Sequence, residues 1–232
     1  MNQETKDKIQ QLSRNEQNSI IEKLNVFLEP GRLERFQEVI TKRTRQISVV
    51  LEDLYQPHNA SAAVRSCDCF GIQNLDVVED KKRFKPAKGI SMGAGNWLSI
   101  KKHKSTANCF SDLKNRGYQI LATTLGPHSQ DINHINTEQP LAIVFGTEKD
   151  GLSQEAHQQA DTLVQLPMFG FSQSFNVSVS VALCLQILTS KLRQKPEVQW
   201  QLSQEEQTTL LLEWCVKSIR AGEKIFTDLI AN

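Results

Sequence analysis

Five short runs constrain this chain most: ISVVLE (47–52), NLDVVE (74–79), YQILATTL (118–125), PLAIVFG (140–146) and DTLVQLP (161–167). They are rich in β-branched and other apolar residues. They lack the apolar/polar alternation of a strand with one wet face, so they read as strands buried on both faces. Helical stretches at 59–70, 105–116 and 153–160 lie between them. That order predicts an α/β fold whose mostly parallel sheet carries helices on both faces. Such a sheet binds ligands at the carboxyl ends of its strands, which directs the search for function to the loops after these runs.

The flanks have a different texture. Residues 1–46 are polar and helix-prone, with Ile9, Leu12, Ile20, Leu24, Leu33, Phe36, Val39 and Ile40 at helical spacing and a break at Pro30-Gly31. The stretch 175–193 starts with strand-like alternation but runs too far for a strand, which predicts a helix apolar on most faces. Lys195-Pro196 ends it. Ser203-x-x-Glu206 is a capping-box pattern opening a last helix with Leu210, Leu211, Trp214, Ile219 and Phe226. The expected division is a helical arm over 1–46, an α/β domain over 47–195 and a helical extension over 196–232. A length of 232 residues accommodates one sizeable domain with such appendages.

Hydrophobic (39%) and charged (23%) contents are those of an ordinary globular chain and exclude disordered and collagen-like classes. No run approaches the roughly 18 apolar residues of a membrane span, and the first residues lack the apolar stretch of a secretory signal, so a soluble, cytoplasmic protein is expected. Cys67, Cys69, Cys109, Cys184 and Cys215 are odd in number and include no Cys-x-x-Cys. They read as reduced thiols, with no disulfide framework and no metal site. Cys67 and Cys69 would point about 200° apart on a helix. His58, His103, His128, His134 and His157 read as surface or loop residues rather than ligands.

A net charge of +1 argues against holding nucleic acid by bulk charge. Yet Lys81, Lys82, Arg83, Lys85, Lys88, Lys101, Lys102 and Lys104 fall within 81–104 with no acid among them. That +8, set against the total of +1, leaves −7 for the remainder of the chain. Such a band is either an electrostatic footprint for phosphates or a solvated face. Lys42 and Arg43 add a second basic cluster.

Three loops at strand ends stand out. Pro57-His58-Asn59-Ala60-Ser61-Ala62-Ala63-Val64-Arg65 has Asn59 suited as a helix N-cap, and Arg65 either pairs with Asp68 on the surface or binds phosphate. Phe145-Gly146-Thr147-Glu148-Lys149-Asp150-Gly151-Leu152 is either a tight β-to-α turn with Glu148 in solvent or a place where backbone and carboxylate meet a ligand; it is no phosphate-binding glycine loop. Leu166 to Val177 carries Ser174 and Asn176 at the mouth of the long apolar helix, where either residue suits as its N-cap.

Together and in this order the loops resemble the signature of the SpoU/TrmH family of RNA ribose 2′-O-methyltransferases, in the SPOUT superfamily. The matching residues are Asn59-x5-Arg65, then Gly146-x-Glu148-x2-Gly151-Leu152, then Leu166-Pro167-Met168-x-Gly170-x3-Ser174-Phe175-Asn176-Val177-Ser178-Val179. The likeness covers about residues 30–190. Within the family it is nearest to the subgroup that methylates guanosine 18 of tRNA, by way of Arg32-Leu33-Glu34-Arg35, Lys42-Arg43, Ser91-Met92-Gly93-Ala94 and Leu121-Ala122-Thr123.

The resemblance implies a sheet ending in a C-terminal trefoil knot, and a homodimer. It implies S-adenosylmethionine held near Thr123, Gly146, Glu148, Leu166, Met168 and Phe175, the last standing where leucine is expected. It assigns the chemistry to Arg65, with Asn59 and Asn176 orienting Arg65 and the ribose and Ser174 positioning the loop or substrate. A guanidinium stays protonated, so Arg65 is expected to engage the adjacent phosphate and stabilise developing alkoxide charge, leaving phosphate or water as proton acceptor. Lys42, Arg43, Lys81, Lys82, Arg83, Lys85 and Lys88 are expected to hold tRNA. Ribosomal RNA is the alternative substrate. A non-catalytic RNA-binding module and a doubly wound nucleotide-binding protein are the remaining readings, the latter opposed by the lack of a phosphate loop.

Overall fold

The chain opens with three helices, α1 (Gln3–Gln11), α2 (Arg14–Asn25) and α3 (Arg32–Ile40), in a computed structural model that describes residues 1–126 and 128–231 and all their side chains except those of Lys88 and Ile90. The expected tRNA contact through Lys88 therefore lies outside the described side chains. Ser13 and Glu16 form a reciprocal capping box at the start of α2, a signal that the helical periodicity of the arm masks. Gly31, at φ 74°, supplies the left-handed residue that starts α3 after the Pro30 break.

Residues Thr44–Trp200 form one compact unit. Its elements are β1 (Thr44–Glu52), α4 (Pro57–Cys69), β2 (Ile72–Val78), α5 (Lys88–Ser91), β3 (Ser99–His103), α6 (Thr106–Asn115), β4 (Gln119–Thr123), β5 (Gln130–Asp131), β6 (Leu141–Phe145), α7 (Gln154–Gln159), β7 (Thr162–Gln165) and α8 (Val177–Arg193). Among the described residues the strands form one all-parallel sheet in the order β3-β2-β1-β6-β4-β7-β5.

The apolar runs now have their cause. Val49 and Leu51 of β1, Leu75 and Val77 of β2 and Ile143 and Phe145 of β6 pack with Ala60, Ala63, Val64 and Cys67 of α4 and Val181, Leu185 and Leu188 of α8. Their neighbours Val50, Val78, Ala142 and Val144 face the other way, against Cys109, Phe110 and Leu113 of α6 and Ala156 of α7. Successive strand side chains alternate between two covered faces, so neither set can be polar.

Four expectations need correction. Helix α4 begins two residues before Asn59, because Pro57 takes the first helical position, where its fixed φ and missing N–H carry no penalty. Gln56 is the N-cap, and Asn59 lies inside the first turn. Strand β3 was hidden in the basic band: SIKKH is a sheet-edge strand, where exposed lysines are tolerated and protect the edge. His103, expected at the surface, is buried at the end of β3, where its Nε2 donates to Asp76 Oδ1 at 2.8 Å. The single last helix is two, α9 (Gln204–Ser218) and α10 (Gly222–Ala231), with Ala221 left-handed between them.

Met1–Arg43 and Gln201–Asn232 make the second compact unit. Within it α9 packs against α1, α2, α3 and α10, and Trp214 of α9 is buried edge-on to Phe36 of α3, ring centres 5.6 Å apart. The unit boundaries fall at 43/44 and 200/201, where the change of sequence texture places them at 46/47 and 195/196. No helix among the described residues is long and apolar enough to cross a membrane.

Candidate active site

The carboxyl ends of the adjacent strands β6, β4 and β7 open onto a crevice of about 390 Å³. It is built from three loops: Thr123–Leu125 after β4, Phe145–Leu152 after β6, and Gln165–Phe175 leading from β7 into α8. All six residues expected to hold a cofactor, Thr123, Gly146, Glu148, Leu166, Met168 and Phe175, line it, and Ser174 does too. The sheet brings these loops side by side because β4 sits between β6 and β7, a neighbour relation that sequence order hides.

The loop after β6 closes on itself. Thr147 and Gly151 exchange two backbone hydrogen bonds of 3.0 Å, and Thr147 Oγ1 accepts from Asp150 N–H at 3.0 Å. A Cβ on Gly146 would stand 2.1 Å from the Gly151 carbonyl oxygen, so only glycine allows the turn to fold back this closely. Glu52, buried at the end of β1, anchors the loop's far side: its carboxylate accepts from Ser153 N–H and Oγ, each at 2.7 Å, and from the Thr106 hydroxyl.

At the rim, Asn176 caps α8 by accepting from Ser178 N–H. Its Nδ2 donates to Asn59 Oδ1 at 3.2 Å and to Glu148 Oε1. One side chain thus ties the first turn of α4 and the loop after β6 to the start of α8. Arg65, two turns along α4 from Asn59, is exposed and forms neither a hydrogen bond nor an ion pair with a described residue; the alternative of a surface pair with Asp68 does not occur. Arg65 is not among the residues that line the crevice. Thr124 and His157 also line it, His157 Nε2 lying 3.2 Å from Thr124 Oγ1. Sequence reasoning missed both, and the one signal for His157 was its place four residues after the helix-capping Ser153.

The cationic residues divide. Lys42, Lys81, Lys82, Arg83 and Lys85 are exposed, Lys42 paired with Glu38 at 2.7 Å. Arg43, expected to face RNA, is instead 2% exposed with its guanidinium 5.3 Å from the centre of the Trp214 ring, an arrangement in which a buried cation rests on an aromatic face. Lys101 and Lys102 on β3 pair with Asp112 and Glu79 at 2.7 and 2.8 Å, so the +8 band does not act as one positive surface.

Asp76, His103 and Cys109 cluster in the interior. Asp76 already accepts from Ser48, His103 and Arg116, and burial pushes the Cys109 thiol well above its ordinary value, so the group is a hydrogen-bonded part of the core. Cys67 is buried and Cys69 exposed, as opposite helix faces require.

Residues 46–186 match the model of the SpoU rRNA Methylase family. A tRNA (guanosine(18)-2′-O)-methyltransferase of Borreliella burgdorferi is 35% identical over 191 residues, 82% of this chain and 87% of that one. The enzyme of the same name from Thermus thermophilus is 33% identical over 192 residues, 81% of this chain and 97% of that one. Among solved structures, the A. aeolicus TrmH/SpoU tRNA modifying enzyme superposes with a TM-score of 0.71 at 32% identity, over 84% of this chain and 96% of that chain. With the strand-end loops in one crevice and more than half of the sequence under the family model, the chain belongs to the SpoU methylase family.

Proposed function

We propose that this protein methylates the ribose 2′-hydroxyl of a tRNA nucleotide, guanosine 18, using S-adenosylmethionine. The observation that carries the reading is that two of the three motif loops, those after β6 and β7, line one crevice, and that Asn176 joins the third to them by donating to both Asn59 and Glu148. The walls suit the cofactor: Phe145, Val164, Leu166 and Met168 offer apolar surface for an adenine, while the hydroxyls of Thr124 and Thr147 and the carboxylates of Glu148 and Asp150 offer partners for ribose and amino groups. Bound there, S-adenosylmethionine supplies a sulfonium methyl carbon as electrophile. The rest falls to the chain. Asn59 and Asn176 orient the ribose and fix the line of attack, which is where most of the rate arises. Arg65 engages the neighbouring phosphate and stabilises alkoxide charge as the proton leaves to phosphate or water.

The tRNA substrate is supported by the names of relatives that match over four fifths of the chain. Exposed Lys81, Lys82, Arg83 and Lys85 supply phosphate contacts, and Lys42 does so by exchanging its Glu38 partner for phosphate. A homodimer, a cytoplasmic location and the C-terminal knot belong to the same reading; the five cysteines, none of them in a disulfide, fit a reducing compartment. Ribosomal RNA is the second reading, favoured by the description of the matched family. The test is transfer of labelled methyl from S-adenosylmethionine to unmodified tRNA transcript, with ribosomal RNA beside it and the product mapped. Label at the 2′-oxygen of guanosine 18 is expected. Label in ribosomal RNA alone selects the second reading, and label in neither overturns both.

A further inference from the structure

Residues 79–87, between β2 and α5, adopt neither helix nor strand, yet side chains hold their backbone at four points. Asp53 Oδ1, just past β1, accepts from the N–H groups of Lys81 and Lys82 at 2.8 and 3.0 Å. Glu79 Oε1 accepts from Phe84 N–H at 2.9 Å, and Ser61 Oγ of α4 accepts from Ala87 N–H at 2.7 Å. Phe84 turns inward and joins the core on the α4 face. Lys81, Lys82, Arg83 and Lys85 turn outward and are exposed, with the Lys82 ammonium 5.4 Å from the centre of the exposed Tyr55 ring. Asp53 itself is left-handed, at φ 51°, a conformation that aspartate and asparagine enter more readily than other residues with a side chain.

We propose that Asp53, helped by Glu79 and Ser61, pins this segment into a preformed cationic cradle for the phosphate backbone of the RNA, and that Asp53 is a positioning residue for RNA binding. The inference rests on the reading of the protein as an RNA methyltransferase and deepens it. Four cations within five residues repel one another, and a free loop would both splay and lose entropy on meeting RNA. Anchoring the backbone removes that cost before binding. Because Ser61 shares α4 with Asn59 and Arg65, the cradle is held in register with the residues assigned to the chemistry, and an RNA strand gripped there is led toward Arg65.

Asp53→Asn and Asp53→Gly separate the causes. Asparagine tolerates the left-handed backbone and keeps an acceptor oxygen; glycine relieves the backbone but accepts nothing. The dissociation constant for unmodified tRNA transcript is measured from about 50 to 200 mM salt, beside kcat, KM, S-adenosylmethionine affinity and melting temperature. For Asp53→Gly the dissociation constant and KM rise about five- to tenfold, the salt dependence becomes shallower, and kcat and cofactor affinity hold. Asp53→Asn stays within about twofold of wild type, the cost of one weakened acceptor. Hydrogen exchange at the Lys81 and Lys82 amides reads the pin without RNA: protected in wild type and Asp53→Asn, open in Asp53→Gly. Wild-type RNA affinity in Asp53→Gly, or equal losses in both variants, overturns the cradle, as does a drop in kcat at unchanged KM. A wild-type protein that transfers no methyl while Asp53→Gly still weakens RNA binding overturns the enzymatic reading and leaves the cradle standing.

Discussion

Asn176 donates to Asn59 across 117 residues of sequence, Nδ2 to Oδ1 at 3.2 Å. The same amide nitrogen reaches Glu148, and the amide oxygen caps α8. Asn176→Ala removes the cap and the tie together. Loss of the cap costs about 1 kcal/mol, a fall of some 2–4 °C in melting temperature for a unit of this size. Asn176→Asp keeps the cap acceptor but sets a carboxylate against Glu148 and the Asn59 oxygen. It therefore melts near wild type while methyl transfer drops. If both variants lose stability and activity in proportion, the tie has no part in the chemistry.

Gly146→Ala forces a Cβ to 2.1 Å from the Gly151 carbonyl oxygen, a backbone atom that cannot swing aside. The turn must open, at a cost toward the upper end of about 1–3 kcal/mol, and calorimetric titration with S-adenosylmethionine should show binding lost. Gly170→Ala is the control: its nearest atom would be 4.0 Å away, so its melting temperature stays at the wild-type value. Undiminished cofactor affinity in Gly146→Ala would show that the turn does not shape the crevice.

Arg65 is exposed and outside the crevice lining, so its removal spares the cofactor. Arg65→Ala should lower single-turnover methyl transfer by about 10² to 10³ with S-adenosylmethionine affinity unchanged. Lysine restores charge without the guanidinium fork and rescues only part of the rate. Near-normal turnover in Arg65→Ala removes this residue from the mechanism.

Asp76 makes the unit sensitive to acid. Burial raises its pKa, but the His103 hydrogen bond, the Arg116 charge and the Ser48 hydroxyl outweigh that and hold the carboxyl below its ordinary value. A folded-state value below the unfolded one, near 3.9, means that the contribution is complete above about pH 5 and is lost as pH falls through the folded value. Urea midpoints of wild type and Asp76→Asn should therefore converge between about pH 5 and pH 2. At neutral pH the variant is less stable by an amount near the low end of about 3–5 kcal/mol, because Arg116 is partly solvated. A gap between the two that is independent of pH would refute the linkage.

Much of the local structure was legible because it is local. The helix over Val177–Arg193 announced itself by length, the start of α9 by Ser203 and Glu206, and the start of α3 by Gly31. Where signals overlap, local sequence is ambiguous: Pro57 outranks Asn59 as the marker of where α4 begins, and the lysines of SIKKH conceal an edge strand. The cofactor-loop residues are legible as separate motifs, whereas Thr124 and His157 are not, because what puts them at the crevice is the packing of β4 between β6 and β7 and not their own residue types.

The sequence by itself determined five of the seven strands, most of the longer helices and that both sheet faces are covered, since periodicity and capping act over a few residues. Only the tertiary structure decided which strand lies beside which, and so which loops meet. It also decided the fate of individual charges: Arg43 buried on Trp214, His103 buried against Asp76, Arg65 left exposed. The reason is physical. A side chain's charge is intrinsic, but its burial and its partners depend on residues tens or hundreds of positions away, and those distances close only when the sheet forms.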